Sequence, residues 1–210
     1  HTVEKFGDWN PNAEIVLVLP ADHQPYWKML CREIGCQVEH RIVTGGETRF
    51  HSVRNGLEAI RGEIEQDAEN VLIAVHDGVR PFVSTKVITA CFEQASIKGA
   101  VVPVLPVVDS LREVDAQGKS KAVDRSRYYA VHTPQAFRAD LLLRAYSQDY
   151  SNGRSSKYCP IQSRKHQDNY AVGFGDSQSS FGRVIEKYAR LCRGKDVPLR
   201  KIKIKSVINI

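Results

Sequence analysis

A carboxylate and a guanidinium three residues apart, Asp77 and Arg80, follow directly on an apolar run in VLIAVHDGVRPFV (71–83). A carboxylate at the end of a buried strand can hold Mg²⁺ against phosphate oxygens, because that hard cation takes oxygen ligands and few of them from protein. A guanidinium beside it can fork onto a phosphate. Both also have ordinary readings, Asp77 as a cap for the next turn and Arg80 as half of a surface salt bridge. His76 reads as a strand-end packing residue rather than a catalyst. Upstream, TGGETRFHSVRNGL (44–57) sets Gly45 and Gly46 ahead of a helix. Paired glycines let backbone approach a flat base or a phosphate, and a helix start supplies free N–H groups. The stretch is neither a P-loop nor GxGxxG, and Ser52 within it is a ligand or simply a helix residue. In HTPQAF (132–137) Thr133 precedes a proline, in extended backbone where its hydroxyl can face a crevice. Lys119, Lys121, Arg125 and Arg127 form a basic hairpin, which would equally serve to keep an edge charged against aggregation.

The elements that must hold these residues alternate. AEIVLVLP (13–20) is a short, almost wholly apolar run, as in a parallel strand covered on both faces. A helix follows, with Asp22 near its N-cap, Pro25 in its first turn, and Trp27, Leu30 and Ile34 on one side. CQVEHRIV (36–43) alternates as a second strand. A helix runs from about Thr48 to Arg61, with Val53, Leu57 and Ile60 on one face. The run 71–75 is the next strand, Ser84 caps a helix, and GAVVPVLPVV (99–108) returns as a strand whose prolines suggest a rim or bulge. SLREVDAQGKSKAVDRSRYYAV then reads as a β-hairpin arm, about 109–130. It has too few apolar residues to stand alone, so a second subunit is the economical partner. HTPQAF and the helix RADLLLRAY close the regular part. The pattern predicts an α/β fold, Rossmann-like, with a mainly parallel sheet, helices on both faces and a ligand crevice at the C-terminal strand ends. That is where Asp77 and Arg80 fall.

Of the 210 residues 42% are hydrophobic, and no apolar run approaches the roughly 20 residues a membrane helix needs. The start, HTVEKFGDWN, is polar and lacks a signal-peptide core. Five cysteines (Cys31, Cys36, Cys91, Cys159 and Cys192) form no CxxC pair and have no His partner at metal spacing; they read as reduced cytosolic thiols. The net charge of +6 is uneven. Residues 1–150 hold 17 Lys and Arg against 20 Asp and Glu, whereas residues 151–210 hold 13 against 4. No aromatic-interleaved platform accompanies the basic end, so nucleic acid is not an expected partner.

GGETRFHSVRNGL, VHDGVRPF, PVVDSLREVD and VDRSRYYAVHTPQAF, in this order and spacing, closely resemble the 2-C-methyl-D-erythritol 4-phosphate cytidylyltransferase family over about residues 1–146. HDGVRP and VDR…TPQ are the most specific parts. The resemblance implies a cytoplasmic homodimer that uses CTP and Mg²⁺, with an arm reaching into the neighbour's site. It implies transfer of CMP to the methylerythritol phosphate with release of pyrophosphate, in non-mevalonate isoprenoid synthesis. By motif, Gly45, Gly46 and Ser52 would lie near cytosine and ribose, and Asp77 would bind the metal. Arg80, Ser110, Arg125 and Thr133 would surround the acceptor phosphate, Ser110 and Arg125 coming from the partner's arm. Ser110 stands where the family often has Thr, which keeps the hydroxyl.

Two departures set further expectations. The family's nucleotide site begins with a first strand and a glycine-rich loop carrying an Arg and a Lys, and this sequence starts after them. The chain as given is therefore expected to turn over weakly or not at all. From about Ser151 the family's pattern is lost: the tail is a divergent native end, a disordered basic extension contacting polyanions, or an out-of-frame C-terminus, and the abrupt charge change favours the last. KIKIKSVINI (201–210) superficially resembles the family's last strand, yet Lys203 lies 70 residues past Thr133. FGRVIEKYARLCRG (181–194) could form a helix. Two rival readings stand beside the enzyme: a cytidylyltransferase for another polyol phosphate such as ribitol 5-phosphate, and a non-catalytic dimerising remnant with a polyanion-binding tail.

Overall fold

The structure, a computed structural model, describes residues 1–147, 171–173 and 203–209. Helix α1 (Thr2–Trp9) leads into β1 (Glu14–Leu19), then α2 (Gln24–Glu33), β2 (Arg41–Thr44), α3 (Arg49–Glu58) and the single turn α4 (Arg61–Ile64). Strand β3 (Val71–Asp77), α5 (Thr85–Lys98) and β4 (Ala100–Pro106) follow. The short strands β5 (Arg112–Val114), β6 (Ser120–Ala122), β7 (Tyr129–Val131) and β8 (Gln135–Arg138) precede α6 (Ala139–Tyr146), and β9 (Ala171–Gly173) and β10 (Lys203–Asn209) complete the strands.

One sheet takes the order β2-β1-β10-β3-β8-β4-β7, with β9 added on β4. β2, β1, β10 and β3 are mutually parallel, β8 runs against β3 and β4, β7 runs against β4, and β9 is parallel to β4. The sheet is thus the mainly parallel one expected, helices covering both faces. On one face Phe50, Val53, Leu57, Ile60, Ile64, Leu142 and Tyr146 pack against Val16, Val18, Ile73, Val75 and Val207. On the other, Val3, Phe6, Ile88, Cys91, Phe92 and Ala95 pack against Ile15, Leu17, Leu72, Ala74 and Ile208. Each such fully buried Leu, Ile or Phe side chain is worth about 1.5–3 kcal/mol of transfer free energy. Successive residues of β1 and β3 point to opposite covered faces, which is why their sequences are almost continuous apolar runs.

The helices begin and end where local chemistry dictates. Ser84 accepts a bond from Val87 N–H at the start of α5, and Gly99, at φ 83°, ends it. Thr48 does the same for α3, accepting from His51 N–H. Asp22 lies in a 3-10 turn (Ala21–His23), next to His23 at the N-cap of α2, as expected. Two expected boundaries move. The second strand starts only at Arg41, because 36–40 is drawn off by side-chain contacts: Trp27 Nε1 donates to His40 Nε2 at 2.9 Å, and Val38 packs with the α1 side of the core. Helix α3 stops at Glu58, with α4 as a separate turn.

The arm is a two-stranded hairpin, β5 against β6, with Glu113 opposite Lys121 and their charges 2.9 Å apart. Asp115 shapes its turn by accepting from the N–H groups of Gln117 and Lys119, and Gly118 supplies the positive φ of 80°. Most of the tail region 151–210, including the helix expected at 181–194, lies outside the described residues. Within that region β10 sits between β1 and β3, and Lys205 carries its charge inward. The buried ammonium contacts Glu14 and, at 2.8 Å, Glu63, while Arg41 Nη2 lies 2.7 Å from Glu63 and 3.2 Å from Glu14.

Candidate functional site

Asp77 is the last residue of β3, at the C-terminal end of the parallel strands. Its carboxylate is held from two sides. Arg49 Nη2 donates to Oδ1 at 3.2 Å and Arg80 Nε to Oδ2 at 3.1 Å. The Asp77 N–H donates to Thr133 Oγ1 at 3.3 Å. Arg80 returns within the same turn, its N–H on the Asp77 carbonyl at 3.0 Å. Its Nη1 donates to His132 Nδ1 at 3.2 Å, which places the proton of the neutral ring on Nε2. Burial, and then the neighbouring Arg80 charge, pull the His132 imidazole below its ordinary range, so the ring stays neutral and accepts. Three of the sequence-derived residues, Asp77, Arg80 and Thr133, therefore converge on one point. The Thr133–Pro134 peptide there is cis.

Arg49 was not singled out by sequence, although it stands inside the glycine-pair segment. It is the first residue of α3, where the helix dipole disfavours a cation. That misplacement is the signal: a positive charge at a helix start needs a fixed anion, and Asp77 is that anion. His132 was missed for a plainer reason, since nothing in the sequence marks it as the residue that braces Arg80.

Gly45, Gly46 and Ser52 form a second group. Gly46 N–H donates to Ser52 Oγ at 3.0 Å, and Gly45 N–H donates to the Leu19 carbonyl at 2.8 Å. A Cβ at Gly46 would lie 2.4 Å from His51 Cβ, so this glycine is required by the loop's own approach to α3. Ser52 is buried and its hydroxyl is already engaged with the loop. The group is a shaped turn joining β2 to α3, and Ser52 holds the turn's form. His76 is fully buried, donates from Nε2 to the Arg80 carbonyl at 3.1 Å and lies 5.0 Å from the Phe6 ring centroid. Desolvation drives its pKa down, and it acts as the packing residue expected.

Ser110 and Arg125 stay on the arm. Ser110 is exposed before β5, and Arg125 Nη1 donates to the Val108 carbonyl. Beside Arg80 a cavity of about 540 Å³ opens between the turn after β3 and the end of β4. Arg80, His132 and Thr133 give it a polar wall, and Phe82, Val104 and Leu105 an apolar one.

Among the described residues no cluster of three or more His, Cys, Asp or Glu could hold a metal by itself. Asp77 offers a single carboxylate flanked by arginines. That donor set fits a cation shared with substrate phosphates, as Mg²⁺ commonly is, and does not fit one caged by protein. Chemically, the site can gather anionic oxygens around the end of β3 and fix their positions.

A family model, IspD: 2-C-methyl-D-erythritol 4-phosphate cytidylyltransferase, matches residues 1–157. A protein of that name from Porphyromonas gingivalis is 51% identical over 151 residues, covering 71% of this chain and 63% of the relative. One from Bacteroides fragilis is 45% identical over 150 residues, covering 71% and 65%. The chain thus spans a little under two thirds of the length of these curated relatives. Among solved structures, the 2-C-methyl-D-erythritol 4-phosphate cytidylyltransferase of Thermus thermophilus aligns with TM-score 0.56 at 27% identity, covering 90% of this chain and 86% of that one. The 4-diphosphocytidyl-2C-methyl-D-erythritol synthase of Anaerococcus prevotii aligns with TM-score 0.64 at 23% identity, over 90% and 84%, a likeness of fold.

Proposed function

Given that the chain belongs to the 2-C-methyl-D-erythritol 4-phosphate cytidylyltransferase family, we propose that it transfers CMP from CTP to that polyol phosphate and releases pyrophosphate. The observation that carries the reading is the Asp77 carboxylate pinned between Arg49 and Arg80, next to Thr133, at the C-terminal end of β3. Both reactants are anions, so the site must offset their repulsion and align oxygens; it needs no covalent intermediate.

An oxygen of the acceptor phosphate attacks the α-phosphorus of CTP in line. The new O–P bond forms as the bond to the leaving pyrophosphate breaks. Arg80, braced by neutral His132, and the Thr133 hydroxyl orient the acceptor phosphate. Asp77 is the residue that would hold Mg²⁺, which when bound neutralises charge on the triphosphate. Arg49 is a positioning residue that keeps the carboxylate at the strand end. Gly45 and Gly46, in the turn fixed by Ser52, lie against the nucleoside. Ser110 and Arg125 complete the acceptor site from the arm of a second copy, in a cytoplasmic homodimer. Exposed Val108, just before the arm, and Val114 on it support that assembly, because a lone hairpin of this kind gains little from folding in water.

The test is pyrophosphate release with CTP and Mg²⁺, offering 2-C-methyl-D-erythritol 4-phosphate or ribitol 5-phosphate. The chain is run beside a version extended upstream by the family's glycine-rich loop. Release with the first acceptor supports the reading. Release with ribitol 5-phosphate alone overturns the acceptor assignment, and silence of the extended chain with both overturns the activity.

A further inference from the structure

Helix α2 ends in a turn that brings two cysteines together. Ile34 is its last half-helical residue, and Gly35 follows at φ 66°. Cys36 N–H donates to the Cys31 carbonyl at 2.9 Å, and Gly35 N–H reaches the Arg32 carbonyl at 3.4 Å. These are the paired 6→1 and 5→2 bonds of a Schellman motif, in which the side chains three positions before the cap and two after it touch. Here both of those positions are cysteine. Both thiols are free and partly exposed, whereas Cys91 is buried in the core. Burial, and then the nearby Cys36 thiol, which shares a hydrogen bond with it, push the Cys31 thiol up. Burial alone pushes Cys91 to about 12. No side chain of α2 is fully buried, so the helix end is also a place where a covalent staple would matter.

We propose that Cys31 and Cys36 are a reversible dithiol–disulfide pair, a redox modification site whose co-reactant is a low-molecular-weight disulfide. The thiolate of one cysteine attacks a sulfur of the small disulfide, expelling one thiolate and leaving a mixed disulfide on the protein. The second cysteine, deprotonated, attacks the protein sulfur of that mixed disulfide and expels the other thiolate. The protein dithiol is oxidised by two electrons, the small disulfide is reduced to two thiols, and the two cysteine protons pass to the departing thiolates. The contact made by the turn favours the second attack over escape of the mixed disulfide.

The chain is equilibrated in buffers of glutathione and glutathione disulfide, quenched with an alkylating reagent and digested with trypsin, which separates MLCR (29–32) from EIGCQVEHR (33–41). Recovery of these two peptides as one linked species, with the undigested chain carrying two fewer alkyl groups than the fully reduced one, is the expected result. Cys31→Ser and Cys36→Ser should each leave a glutathione adduct on the remaining cysteine. In Gly35→Ala the new Cβ meets nothing within 4 Å, so only the left-handed backbone is strained. That variant relieves strain by opening the turn, which only the dithiol can do, and its oxidation midpoint should shift about fivefold toward the dithiol. Independent glutathione adducts on both cysteines at every ratio would overturn the proposal. So would preferential linkage to Cys159 or Cys192, or a midpoint unmoved by Gly35→Ala.

Discussion

Asp77 accepts from two arginines, one on each oxygen, so the charge that would meet a cation is already shared. Asp77→Asn keeps the shape and removes the charge; kcat should fall by about 10²-fold or more, as for loss of one electrostatic contact in an active site. Arg49→Ala should lower kcat about tenfold with little change in the KM for CTP. Arg49→Lys should restore it only in part, since an ammonium cannot present two fixed donors. Steady-state kinetics on the two positions checks both statements. Gly46→Ala must displace His51 to seat its methyl group, and should destabilise the fold by about 1–3 kcal/mol, read from the urea midpoint. Asp77, Arg80 and Thr133 were legible in sequence because a polar residue directly after a buried strand, or before a proline, has few places to point. Arg49 was not, because its meaning depends on β3 ending beside the start of α3, a long-range fact. Ser52 was legible only as a choice, and the structure adds the hydrogen bond that ties it to Gly46.

At the scale of elements, apolar runs and caps carried most of the information. β1, β3 and α5 with its Ser84 cap lie where the residues place them, because burial on both faces and a capping hydroxyl are local signals. The start of β2 was misread because alternation over 36–40 could not reveal the Trp27–His40 bond or the turn at Gly35. Nor could alternation reveal that Lys205 points inward, against Glu14 and Glu63, at the opposite end of the sheet from Asp77. Hydrogen bonds from Lys205 first, and then Arg41, lower the Glu63 carboxyl from 4.5 to about 2. A depressed carboxylate contributes stability above its unfolded pKa and loses it as pH falls toward the folded one. Thermal stability should therefore drop between about pH 4.5 and pH 2, and Glu63→Gln should flatten that part of the profile, as a melting series would show. The effect is modest because Glu63 is half exposed. Lys205→Met should cost less than the roughly 3 kcal/mol typical of breaking a fully buried pair, since both carboxylates reach solvent.

The described residues form an α/β sheet with Lys205 locked to Glu14 and Glu63 towards one end and the Asp77–Arg49–Arg80 group at the other. The arm leaves the sheet at the Asp77 end, with Val108 just before it and Val114 on it both exposed. If the proposed homodimer forms through the arm, Val108→Asp with Val114→Asp should raise its dissociation constant at least about tenfold, read by sedimentation equilibrium, and lower activity in parallel. The arrangement of the sheet also governs how the chain reaches its native form. Glu14 pairs with Lys205 across 191 residues, and the strand that supplies Lys205 joins β1 to β3. Until that strand arrives, β1 and β3 each present an open edge along the middle of the hydrophobic core. Pairing at such separation is paid for in loop-closure entropy before it yields any burial, which slows folding. On the ribosome, β1 with β2 and β3 with β8 must wait as two unjoined parts of the sheet. The chain's exposure to aggregation is set by that wait, and chaperone capture should concentrate on nascent chains that stop short of residue 203.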